Sequence, residues 1–204
     1  EVSERALNEF GIAFMFAPLF HPAMKKVAPV RSSLGHRTIF NMLGPLTNPA
    51  SAPYQLIGVY SPDLTTTVGE ALSHLGCKRA WVVHSYDGLD ELSIGSLARV
   101  TEVNQNKVNS FDFDPLELGF QAKAETLSDL AGGTPEENAD LILGILSDRV
   151  KTAARRVVIL NAAAALYIAG EDDFPKAIRK AEESIVSGAA RQKLADLVHA
   201  YETF

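Results

Sequence analysis

The chain has 204 residues, enough for one domain with a sizeable core and too few for a large multidomain assembly. Hydrophobic residues make up 47% and charged residues 22%, which excludes a disordered or fibrous chain. Nineteen Lys and Arg stand against 25 Asp and Glu, a net charge of −6 with neither sign gathered into long runs, so the basic stripe of a nucleic-acid binder is missing.

The single cysteine, Cys77, cannot close an internal disulfide or anchor a multi-cysteine zinc site. It reads as a small buried apolar residue in a reducing, cytoplasmic compartment. Apolar stretches such as Gly11–Leu19 are too short to span a bilayer, and no basic signal-like segment precedes them. No membrane association is expected. The chain begins at Glu1 without Met, in what reads as a helix, and an N-terminally truncated chain is expected.

In chain order, Ile12–Ala17 is a short apolar run, and Tyr54–Tyr60 and Arg79–His84 are β-branched and aromatic runs of strand length. Leu64–Leu75 between them has helical spacing, with Pro62 near its start and Gly76 just past its end, which predicts a βαβ unit. Leu97–Val103 and Lys107–Phe113, joined by a polar turn at Asn104–Asn106, predict an antiparallel hairpin added to the sheet. Thr134-Pro135-Glu136-Glu137 is a capping box with proline at the first helical position, and Gly132-Gly133 reads as the loop before it. Asn161–Ala169, Asp173–Ser187 and Ala189–Tyr201 complete a helical tail. The expected class is α/β, a mostly parallel central sheet flanked by helices.

The segment His21–Ala50 is the most unusual. Met24, Val27, Val30 and Leu34 keep a helical spacing that Pro29 should kink, and Gly44-Pro45 and Asn48-Pro49 predict a rigid loop before the strand at Tyr54. Arg31 and Arg37 lie beyond the kink. A guanidinium fork matches a carboxylate or phosphate with two parallel hydrogen bonds, although a lone arginine is more often a solvated helix-face residue. His21 is likewise more often a packing or capping residue than a catalyst.

The second constellation, Tyr86-Asp87-Gly88-Leu89-Asp90-Glu91, follows the Arg79–His84 strand directly. In open α/β sheets ligands bind outside the carboxyl ends of strands, so these acids stand on the functional rim. Asp90 and Glu91 offer hard oxygen ligands suited to Mg2+, against the plainer reading of a solvated turn. The chain has no H-E-x-x-H, C-x-x-C, G-x-S-x-G, G-x-x-x-x-G-K-[ST] or G-x-G-x-x-G, which removes sequence support for zinc hydrolysis, dithiol redox, the α/β-hydrolase elbow, P-loop hydrolysis and dinucleotide binding.

HPAMK at His21–Lys25, VAPVR at Val27–Arg31, LGHRTIFNMLGPLTNPA at Leu34–Ala50, GLDELS at Gly88–Ser93 and LNAAAALYIAG at Leu160–Gly170 together resemble anthranilate phosphoribosyltransferase. The resemblance runs the whole length. It implies Mg2+-dependent transfer of the phosphoribosyl group of 5-phosphoribosyl 1-diphosphate to the amine of anthranilate, releasing pyrophosphate, in tryptophan biosynthesis, by a homodimer. It also implies that residues 1–21 and 44–204 form the α/β domain and that residues 22–43 belong to a small helical domain. Arg31 resembles the arginine that holds the anthranilate carboxylate, His21 and Pro45 resemble residues lining the aromatic substrate's path, and Asp90 and Glu91 resemble the acidic pair that binds Mg2+.

The family's glycine-rich diphosphate loop and its Lys-His-Gly-Asn stretch do not occur in these 204 residues, so the chain by itself is expected to be inactive. Two other readings are a pyrimidine nucleoside phosphorylase-like enzyme, whose neutral base gives no reason for Arg31, and a non-catalytic α/β binding domain.

Overall fold

The structure is a computed structural model and describes residues 2–20, 40–120 and 127–203. The chain divides into two units, Glu1–Ser51 with Ala189–Phe204, and Ala52–Gly188.

The first unit contains helices α1 (Val2–Phe10), α2 (Ala17–Phe20) and α3 (Phe40–Leu46) and the C-terminal helix α8 (Ala189–Thr203). The apolar run at Ile12–Phe16 forms no strand. It is tied to α8 instead: the Tyr201 hydroxyl accepts from Phe14 N at 3.1 Å and donates to the Phe14 carbonyl, and Lys193 Nζ donates to the Phe10 carbonyl at 2.6 Å. Gly44 and Pro45, expected in a loop, lie inside α3. Proline lacks the amide that would bond four residues back, and the helix ends one residue later at Leu46. Thr47 closes it through its amide and hydroxyl to Leu43 O, at 3.0 and 2.7 Å.

The second unit is built on a sheet of β1 (Tyr54–Gly58), β2 (Arg79–Ser85), β3 (Ala98–Asn104) and β4 (Lys107–Phe113), in that spatial order. β1 and β2 are parallel, with α4 (Leu64–His74) between them in sequence, so the predicted βαβ unit is present. β2–β3 and β3–β4 are antiparallel. Among the described residues the sheet is therefore mixed rather than mostly parallel, within the α/β class. The chain returns from β2 to β3 through a loop with no helix, and without a crossover the neighbouring strand must run back.

The two faces follow from the alternation of side chains along each strand. On one face Trp81, Val83, Ala98 and Val100 pack with Ala153, Val157, Leu160, Ala164 and Ile168 of α6 (Ala153–Ile168). Phe111 and Phe113 meet Trp81 edge-on at 5.8 and 5.7 Å between ring centroids, and Phe174 of α7 (Phe174–Val186) stacks on it at 5.7 Å. On the other face α4 comes so near β3 that a Cβ on Gly69 would lie 2.7 Å from Thr101 Cγ2. α5 (Pro135–Leu146) begins with the predicted capping box: Thr134 Oγ1 accepts from Glu137 N at 3.3 Å and Glu137 Oε2 accepts from Thr134 N at 2.7 Å. Among the described residues no helix is long and apolar enough to cross a membrane.

Candidate functional site

The candidate site lies on the loop that leaves β2. Every β2 residue after Arg79 is buried, and the first residues beyond Ser85 are exposed, so the strand delivers the chain from the core to the rim within one step. Gly88, at φ 101, makes a turn that L side chains rarely allow. Its amide donates to Ser85 O at 2.9 Å, while Ser85 N donates to Leu89 O at 2.9 Å. Asp87 stabilises the turn with both oxygens, accepting from Leu89 N at 3.3 Å and from the Ser93 hydroxyl at 2.6 Å.

After the turn the backbone is held residue by residue. The Asp90 carbonyl oxygen rests on Gly58 at the end of β1, where a Cβ would come within 1.7 Å of it. The Ser85 hydroxyl donates to Glu91 O at 2.6 Å and accepts from Ser93 N at 2.8 Å. Asn161 of α6 accepts from Leu92 N at 3.0 Å and donates to Leu92 O at 2.9 Å. Leu92 and Ile94 are 0% and 3% exposed and anchor the loop in the core.

Between these fixed points Asp90 and Glu91 are exposed residues. Partial desolvation, and then the charge of Asp90, hold the Glu91 carboxyl above its ordinary range. Some other acids of the unit have cations beside them, as Glu102 has Arg79, Asp112 has Arg99, Asp148 has Arg155 and Glu171 has Lys180, while others, such as Glu70 and Glu117, have none among the described residues. Among the described residues the Asp90 and Glu91 carboxylates have no such partner. Two adjacent carboxylates, the charge of one raising the proton affinity of the other, are a donor set that a hard divalent cation would relieve. No group of three or more His, Cys, Asp or Glu is gathered among the described residues, and Mg2+ does not require one, because it keeps several waters and shares substrate phosphates.

Of the other predicted site residues, Pro45 lies exposed on α3 in the first unit, whereas Asp90 and Glu91 lie together in the second. His21 and Arg31, with the expected kink at Pro29, lie outside the described residues. Sequence reasoning missed the residues that carry the acidic loop, namely Gly58, Ser85 and Asn161. A glycine inside the run YQLIGVY signals a close backbone approach, and an asparagine opening the apolar helical stretch NAAAALYIA signals a polar group with a specific partner.

A model of the glycosyl transferase family, a/b domain, matches residues 1–191. An anthranilate phosphoribosyltransferase of Desulfosudis oleivorans is 50% identical over 199 residues, 97% of this chain and 58% of the relative. One of Haloarcula marismortui is 45% identical over 198 residues, 97% of this chain and 59% of the relative. Among solved structures, the anthranilate phosphoribosyltransferase of Thermus thermophilus superposes with a TM-score of 0.91 at 41% identity, covering 100% of this chain and 60% of its own. That of Saccharomyces cerevisiae in complex with PRPP and Mg superposes with a TM-score of 0.88 at 28% identity, covering 98% of this chain and 57% of its own. The resemblance carried by the residue strings thus extends along nearly the whole chain, and the chain spans about three fifths of the length of these relatives. The chain belongs to the glycosyl transferase family, and residues 1–191 carry the match to its a/b domain.

Proposed function

We propose that the whole protein transfers the phosphoribosyl group of 5-phosphoribosyl 1-diphosphate to the amine of anthranilate, releasing pyrophosphate, in tryptophan biosynthesis. The observation that carries this reading is the held loop bearing Asp90 and Glu91, two adjacent exposed carboxylates with no cation beside them among the described residues, in a chain 28% identical to a yeast anthranilate phosphoribosyltransferase bound to PRPP and Mg. A bound Mg2+ would neutralise charge on the departing diphosphate without any proton transfer. Asp90 and Glu91 would hold that ion. Arg31 would grip the anthranilate carboxylate with its fork of donors, and His21 and Pro45 would line the path of the aromatic ring. An aryl amine is already neutral at physiological pH, so the site has no need of a strong general base.

The same reading assigns residues 22–43 to a small helical domain and residues 1–21 and 44–204 to the α/β domain, and makes the protein a cytoplasmic homodimer. The test is the Mg2+ dependence of pyrophosphate release in the whole protein. Asp90→Asn and Glu91→Gln keep shape and remove charge, so the Mg2+ concentration for half-maximal rate should rise while the melting temperature holds. Lost activity with unaltered Mg2+ demand and a lowered melting temperature would make the pair a structural turn. Release of ribose 1-phosphate from a nucleoside would favour phosphorolysis instead.

A further inference from the structure

We propose that Asn161 and Ser85 are positioning residues for the Asp90–Glu91 carboxylate pair, acting by locking the peptide plane between Glu91 and Leu92. This rests on the reading of that pair as a divalent-cation site. The plane is held at both ends: its carbonyl oxygen accepts from the Ser85 hydroxyl at 2.6 Å, and its amide donates to Asn161 Oδ1 at 3.0 Å. Asn161 Nδ2 donates on to Leu92 O at 2.9 Å and to Val157 O at 3.0 Å, one turn back on α6. The two carbonyls fix which side of the amide is oxygen, and each side-chain polar atom is engaged. Ser85, 0% exposed, uses its hydroxyl a second time to accept from Ser93 N at 2.8 Å.

The two residues come from different elements, the last position of a buried strand and the middle of a core helix. They converge on one peptide bond, the one that joins exposed Glu91 to buried Leu92. A loop needing only to connect β2 to β3 is already anchored by buried Leu92 and Ile94. Fixing the peptide next to the carboxylates does something more: it removes backbone freedom that a cation would otherwise have to freeze on binding, as outer-shell partners do for metal ligands.

The experiment measures Mn2+ binding to the whole protein saturated with 5-phosphoribosyl 1-diphosphate, by water-proton relaxation against the diphosphate alone, well below the melting temperature of each variant. Asn161→Ala and Ser85→Ala should each weaken Mn2+ binding about 10-fold, the loss usual for outer-shell partners. Ile168→Val, which disturbs the same helix at its far end, should leave Mn2+ affinity unchanged even where it lowers the melting temperature. If one positioning variant fails to fold, the other decides. Mn2+ binding that Glu91→Gln weakens, and that neither Asn161→Ala nor Ser85→Ala alters, would overturn the positioning role while leaving the metal reading intact. Absent Mn2+ binding, or binding that Glu91→Gln leaves unaltered, would overturn the metal reading and the positioning role with it.

Discussion

Gly58 and Asp90 meet backbone to backbone: a Cβ built on Gly58 would lie 1.7 Å from the Asp90 carbonyl oxygen and 2.8 Å from its carbonyl carbon. The end of β1 is therefore the floor on which the acidic loop sits, and only a residue without a side chain leaves room for it. Because Ser85 and Asn161 hold the next residues, the loop cannot lift without losing hydrogen bonds at Glu91 and Leu92.

Gly58→Ala should consequently destabilise the protein by about 1–3 kcal/mol, the usual range for overpacking, and should weaken divalent-cation binding as well. Chemical denaturation and Mn2+ titration of the same variant check both halves. A variant with unchanged midpoint and unchanged affinity would show that the loop shifts freely and that the contact has no role in the site.

Gly88 is constrained by a different cause, and the two glycines can be told apart by substitution. At Gly88 φ is 101 and a Cβ would meet nothing within 4 Å, so backbone strain alone opposes a side chain. Strain of this kind costs on the order of 1–3 kcal/mol. Gly88→Ala and Gly88→Leu should therefore lose similar stability, whereas at Gly58 the loss should grow from Ala to Leu. Equal losses at Gly58 would refute the steric account there.

Local chemistry made much of the fold legible. The capping box at Thr134 needs only residues in sequence order, and the β3–β4 hairpin needs only two strand-like runs and a polar turn. Gly44-Pro45 misled because both residues break helices in general, yet a helix that ends at Leu46 can carry a proline in its last turn. The Asp90–Glu91 pair could be placed on the rim because it follows β2 immediately. Its supports could not be, since Gly58 lies 32 residues before Asp90 and Asn161 lies 71 residues after it, and only the packed sheet and α6 bring them together.

The reciprocal bonds at the start of α5 give a prediction confined to stability. Thr134→Ala removes the oxygen that accepts from Glu137 N, and loss of such a cap costs about 1 kcal/mol. The urea midpoint should fall with no change in slope. Glu137→Ala should act through the same pair of bonds, so the double variant should lose less than the sum of the singles. Strict additivity would show that the two bonds do not form a unit.

Glu171 supplies a dependence on pH. Hydrogen bonds from Lys180 and then Lys176, at 2.5 and 3.0 Å, hold its carboxyl below the ordinary range. A depressed folded value means that the unfolded chain takes up the proton first as pH falls, so folding is favoured while the group is charged in both states. The contribution is fully present above the unfolded carboxylate range, about pH 4.3, and is lost as pH falls from there through the lower folded value. Glu171→Gln should therefore unfold at a lower denaturant concentration than the unaltered protein at pH 7, and the gap should narrow steadily below about pH 4. Because the group lies beside two lysines that solvent also reaches, added salt should narrow the gap at pH 7 too. A gap independent of both pH and salt would mean that the glutamate contributes by packing and not by charge.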